Sequence, residues 1–93
     1  MLSGARGSRS HVRVKLFEHG SSFVSPSEAK RLLAGLERFA EVDLDFDKVE
    51  SVGQGFADEV FRVWAKQHPE VRLVPTNMND GVALMIGRAT AMH

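Results

Sequence analysis

The stretch from Val42 to Lys66 constrains the fold of this chain more than any other. Val42-Asp43-Leu44-Asp45-Phe46 alternates apolar and acidic residues, the period of a strand with one packed and one wet face. Gly53-Gln54-Gly55 then marks a tight turn, and from Gln54 to Gln67 the period becomes helical. At 100° per residue, with Phe56 at zero, Val63, Phe56, Val60, Trp64, Ala57 and Phe61 fill an arc of roughly 160°. Asp58, Glu59, Arg62 and Lys66 fall on the other side. Asp58 stands four residues before Arg62, the favourable order for a surface ion pair, and His68-Pro69 ends the helix. A strand that runs through a glycine turn into an amphipathic helix is the building unit of an α/β sheet domain.

The flanking segments extend that unit. Val12-Arg13-Val14-Lys15-Leu16-Phe17 reads as a strand with Val12, Val14 and Leu16 inward and Arg13 and Lys15 outward. His19-Gly20-Ser21-Ser22 is a turn, and Phe23-Val24 a short returning strand that makes a hairpin with the first. Ser25-Pro26-Ser27-Glu28 combines an N-cap, a proline at the first helical position and a capping box. Ala29, Leu32, Leu33, Leu36 and Phe39 continue that helix at three- and four-residue spacing, with close packing expected at Gly35. Val71-Arg72-Leu73-Val74-Pro75 is a third long strand. Val82, Met85, Ile86 and Ala89 define a last helix, weakened by Gly81 and Gly87.

The order of strand and helix predicts crossovers between parallel strands. With Val42–Phe46 in the centre, Asp43 and Asp45 face Arg13 and Lys15 on one side and Arg72 on the other. The fold class expected is α/β, a small mixed or mostly parallel sheet with three helices packed mainly on one face. Residues 1–10, rich in Gly, Ser and Arg and including Arg6 and Arg9, read as a flexible N-terminal tail. Residues 11–93 read as one domain.

Composition narrows the function classes. The chain has 93 residues, 43% of them hydrophobic, enough for one small core. It has no Cys, which excludes disulfides, thiolate metal sites and a thiol nucleophile. Twelve basic residues balance twelve acidic ones, so no general attraction to nucleic acid or anionic membrane is implied. No apolar run reaches the ~18 residues of a membrane span. A soluble cytoplasmic protein is the expectation.

Three sequence features carry candidate chemistry. Asp43, Asp45 and Asp47 alternate like a cation site, but Lys48 stands where a calcium loop needs Gly and Gln54 where it needs Glu; a sheet face paired with bases fits better. Gly53, Gln54 and Gly55 open a helix whose free N–H groups attract anions. They lack the Lys and Ser/Thr of a phosphate-binding loop, and glycines in a tight strand-to-helix turn explain them as well. His11, His19, His68 and His93 show no metal-ligand spacing, no Ser sits in a nucleophile elbow, and no metal or cofactor is expected.

The central stretch resembles the STAS domains, named for sulfate transporters and anti-sigma factor antagonists. Asp45-Phe46-Asp47-Lys48-Val49 fits the end of their central strand, and Gly53-Gln54-Gly55-Phe56 falls on the motif that opens their next helix. The chain is more similar still to a bacterial STAS-like family. It shares that family's Ser-x-Ser-x-Ala-Lys-Arg-Leu-Leu helix start, here Ser25 to Leu33. It also shares the run from Val49 to Glu59, and the ending Asn77-x-Asn79 with Met85-Ile86. The resemblance covers about Phe23 to Ala89.

In STAS anti-sigma factor antagonists a Ser or Thr at this helix start is phosphorylated by a partner kinase. Here the matching positions are Gln54 and Gly55, without a hydroxyl, so the phospho-switch is not carried over. The resemblance implies a non-catalytic regulatory protein-interaction module docking through Ser51, Gly53, Gln54, Gly55, Asp58, Glu59 and Arg62. Its implied partner is a histidine-kinase-type ATPase, by analogy with relatives that occur beside such domains; homo-oligomerisation stays open. The alternative is a small-anion or nucleotide sensor using Gly53, Gln54 and Gly55.

Overall fold

A computed structural model describes residues 10–91 of the chain. The expected tail lies outside the described residues except for Ser10, and so does His93. Within the described residues five strands and three helices follow in chain order: β1 (His11–Lys15), β2 (Ser22–Phe23), α1 (Pro26–Leu33), β3 (Glu41–Asp45), β4 (Ser51–Val52), α2 (residues 54–67), β5 (Arg72–Thr76) and α3 (Asp80–Ala91). β1, β3 and β5 form a parallel sheet with β3 in the middle, and β2 and β4 form a parallel pair of their own.

The central place of β3 follows from its pattern. Val42 and Leu44 are fully buried among Leu16, Leu33, Phe46, Phe56, Val60 and Val82. The register sets Arg13 beside Asp43 and Lys15 beside Asp45, as the alternating charges predict. On the other side Arg72 lies against Glu41, and the two aspartates face Val74 and Thr76. Arg72 is thus not a partner of Asp43 or Asp45; the ladder begins at Glu41, which shifts the expected pairing by one charge.

Three local expectations are corrected. Phe23-Val24 makes no hairpin with β1: Ser22–Phe23 pairs in parallel with Ser51–Val52. β1 instead ends in a 3₁₀ turn at Leu16–Glu18 that drives Leu16 into the core. The following segment moves away from the main sheet, where burial of Phe23 against Phe56, ring centroids 5.2 Å apart, holds it beside β4. The first helix stops at Leu33, so Leu36 and Phe39 reach the core from a 3₁₀ turn and the residues after it. The cause is Gly35, whose φ of 84° is left-handed; a Cβ there meets nothing within 4 Å, so backbone conformation and not close packing selects glycine. Finally, Asp43 and Asp45 are not on a wet face. They are 7% and 6% exposed, covered by the side chains that bond them.

α2 buries Phe56, Ala57, Val60 and Trp64 and half-buries Phe61 and Val63, much as its arc predicts. Its middle, Glu59–Trp64, is wound as a π-helix between α-helical Gln54–Asp58 and Ala65–Gln67. No helix among the described residues is long and apolar enough to cross a membrane.

Two glycines give opposite predictions. Gly35→Ala should lower the unfolding free energy by about 1–2 kcal/mol, because alanine is strained in the left-handed region. Gly87→Ala, on the exposed side of α3 with open space around its Cβ, should raise it by about 0.5–1 kcal/mol. Urea denaturation of the two variants checks both signs.

Candidate functional site

The glycine turn is built by contact with the start of α1. The Gly53 N–H donates to the Phe23 carbonyl at 2.7 Å and the Phe56 N–H to the Val24 carbonyl at 3.0 Å. Both bonds draw the first turn of α2 onto the chain at Phe23–Val24. A Cβ on Gly53 would lie 3.0 Å from the Val24 oxygen and 3.1 Å from its Cα. One on Gly55 would lie 3.1 Å from Pro26 Cδ. Close backbone approach therefore accounts for both glycines, and the Val24 carbonyl takes one of the N–H groups that an anion at this helix start would use.

The approaching segment is itself fixed. Ser25 caps α1, its Oγ accepting from the Glu28 N–H at 3.3 Å. Glu28 Oε1 accepts from the N–H groups of Ser25 at 2.9 Å and Val24 at 2.7 Å. Those two backbone donors, Ser25 first, hold the Glu28 carboxyl below its ordinary pKa. With its backbone tied on both sides, the Val24 side chain stands 64% exposed beside the turn. Ser22 Oγ and Ser51 Oγ lie 3.1 Å apart on the neighbouring strands, both exposed, and Gln54 is exposed at the helix start.

One helical turn along, Asp58 and Arg62 form the expected pair. The Arg62 Nε and Nη2 donate to separate oxygens of the Asp58 carboxylate. These bonds lower the pKa of Asp58 and raise that of Arg62. Arg62 also borders an open groove of about 390 Å³ with Phe61, Ala65, Lys66 and Pro69. The seven predicted docking residues thus fall in two neighbouring parts of the molecule. Ser51, Gly53, Gln54 and Gly55 lie at the turn; Asp58, Glu59 and Arg62 lie on the next turn of α2, half-buried. Val24 escapes a reading of the sequence that assigns it to a hairpin; an apolar residue directly before an N-cap serine is the signal that could have found it.

The acidic run occupies a different place, from the middle of β3 to just past its carboxyl end. Arg13 Nε donates to Asp43 Oδ2 at 3.2 Å and the Thr76 hydroxyl to Asp43 Oδ1 at 2.8 Å. Asp45 Oδ1 accepts from Asn77 Nδ2 at 2.9 Å and from the Asp47 N–H at 3.0 Å. The Asn77 bond above all, then the Asp47 N–H and the charges of Arg13 and Lys15, hold the Asp45 carboxyl below its ordinary value. Lys48 and Asn77 both adopt left-handed backbone here, φ 69° and 57°, beside an open cleft of about 420 Å³. Asn79 instead ties α3 to the chain before the glycine turn. Its Nδ2 donates to the Val49 and Glu50 carbonyls, while its Oδ1 accepts from the Val82 N–H and caps α3. Among the described residues no group of three His, Asp or Glu side chains is placed to hold a metal ion.

A family model described as a STAS-like domain of unknown function (DUF4325) matches residues 28–83, more than half of the chain. No curated protein and no solved structure gives a match.

Two substitutions probe these contacts. Gly53→Ala should cost about 1–3 kcal/mol, since the new methyl meets backbone atoms that must shift; equilibrium denaturation measures it. A carboxyl whose pKa falls on folding adds stability that is fully present above its unfolded value, here near 3.8, and is lost as pH drops through the folded one. Asp45→Asn should therefore lose about 1–2 kcal/mol at neutral pH. It should also flatten the acid limb of stability against pH, as melting curves across pH 2–7, roughly the carboxylate range and above, will reveal.

Proposed function

The chain belongs to the STAS-like family, and from that footing we propose that it is a non-catalytic regulatory module that docks a protein partner at the glycine turn. The observation that carries this reading is Val24. A β-branched apolar side chain is held out at 64% exposure on a backbone anchored by Glu28 and Phe56. Ser22 on the same segment, Ser51 opposite it and Gln54 after the Gly53 that packs on Val24 are all neutral and exposed. An apolar centre with a polar rim on a rigid base is the anatomy of a protein interface, and a preordered surface loses little entropy on binding. Asp58, Glu59 and Arg62 add a charged flank that selects the partner by complementarity.

Gln54 and Gly55 carry no hydroxyl at the helix start, so docking here is not switched by phosphate at those positions. The first partner to test is an ATPase domain of the histidine-kinase type. The double variant Asp58→Lys with Arg62→Glu keeps an i,i+4 pair with its charges exchanged. It should weaken binding to such a domain about tenfold or more while leaving the melting temperature nearly unchanged; Val24→Asp should do the same. Unaltered binding by both variants removes this surface from the mechanism. A nucleotide and small-anion panel in thermal-shift titration should give no shift, and saturable stabilisation would instead support anion sensing at Gly53, Gln54 and Gly55.

A further inference from the structure

We infer that the outer edge of β1 is a second docking surface, separate from the turn, for an extended segment in which acidic and apolar residues alternate. On one face of the main sheet the side chains form rows by strand. β1 contributes His11, Arg13 and Lys15, and β3 contributes Glu41, Asp43 and Asp45 directly beside them. The sign of charge thus reverses from one strand to the next. The row beyond β1 has no strand in it among the described residues, and the same alternation calls for acids there. Arg13 already bridges Asp43 at 3.1 Å and reaches Asp45 at 3.9 Å. Lys15 makes no close ion pair among the described residues and acts on Asp45 through its charge at longer range, so its exposed ammonium group has room for an incoming carboxylate. On the other face Val12 and Val14 are half-buried, and apolar residues at the alternate positions of a new strand would extend that layer. β3 itself, Glu41-Val42-Asp43-Leu44-Asp45, has the composition that β1 accepts on its paired side.

The two edges of the sheet differ. β5 carries Pro75, which has no N–H to offer a new ladder. β1 has no proline and stays in register over all five residues. A second copy is the wrong occupant: antiparallel two-fold pairing of two β1 strands sets one basic row against another, and like charges directly opposite are destabilising.

The test is an NMR titration of the full chain with a capped peptide of alternating Asp and Val, against the same peptide with Lys for Asp. The Asp peptide should shift the His11–Lys15 amides and slow their hydrogen exchange, and its binding should weaken steeply with salt. Lys15→Gln should reduce its affinity several-fold while melting near the parent temperature; Lys15→Glu, which sets a carboxylate opposite Asp45, should reduce it about tenfold and melt lower, so the Gln variant carries the test. Equal binding of the Lys peptide, or unchanged β1 amides, overturns the proposal. So does strong protection of the β1 edge before any peptide is added, which means that the chain already covers it. A β1-mediated dimer in sedimentation overturns the choice of occupant.

Discussion

Two carboxylates on β3 are largely covered by neighbouring side chains, and a covered charge must be bonded or it destabilises the fold. That requirement organises the main sheet. Asp43 needs Arg13 from one neighbour and Thr76 from the other, and Asp45 needs Asn77 beyond the end of β5. The bonds cross both seams of β3, so they oppose any change of strand order and any slip of register. They also give the left-handed Asn77 a structural role, since its side chain bonds Asp45 from that position. The apolar face supplies the driving force, while the polar face selects which of several apolar pairings is built.

The second organising contact is between main chains. α2 starts where the Val24 carbonyl meets the Phe56 N–H, and this approach is open only because residues 53 and 55 have no side chain. The β2–β4 pair, the capping box of α1 and the first turn of α2 form one assembly, with bonds running from Glu28 through Val24 to Phe56. The proposed docking surface is the outward side of that assembly. Its geometry is set by bonds that need no partner to form.

Much of this was legible in the sequence. Alternation located β1, β3 and β5, the wide apolar arc located α2, and opposite charges placed β3 in the centre. The capping box at Ser25 and the pair Asp58–Arg62 appear with the bonds their spacing implies. What escaped was non-local. The parallel pairing of β2 with β4 joins segments about thirty residues apart through two rungs, too short a ladder to leave a periodic trace. The burial of Asp43 and Asp45 depends on Thr76 and Asn77, whose nearness follows from the β5 register. Gly35 looks tightly packed in the sequence because a glycine inside a helical pattern does not announce whether its Cβ or its φ matters. Val24 is the most exposed large apolar residue of the candidate surface, and its position follows from the same non-local β2–β4 pairing.

The glycine pair has a consequence for how such a surface can diversify. A side chain at residue 53 presses on the Val24 backbone and one at residue 55 on Pro26 and the Val24 carbonyl, so mutation there shifts the proposed platform itself. Ser22, Val24, Ser51 and Gln54 point outward and are free of that restriction. Under the docking role proposed above, drift in partner choice is channelled into four exposed positions around a fixed stretch of main chain.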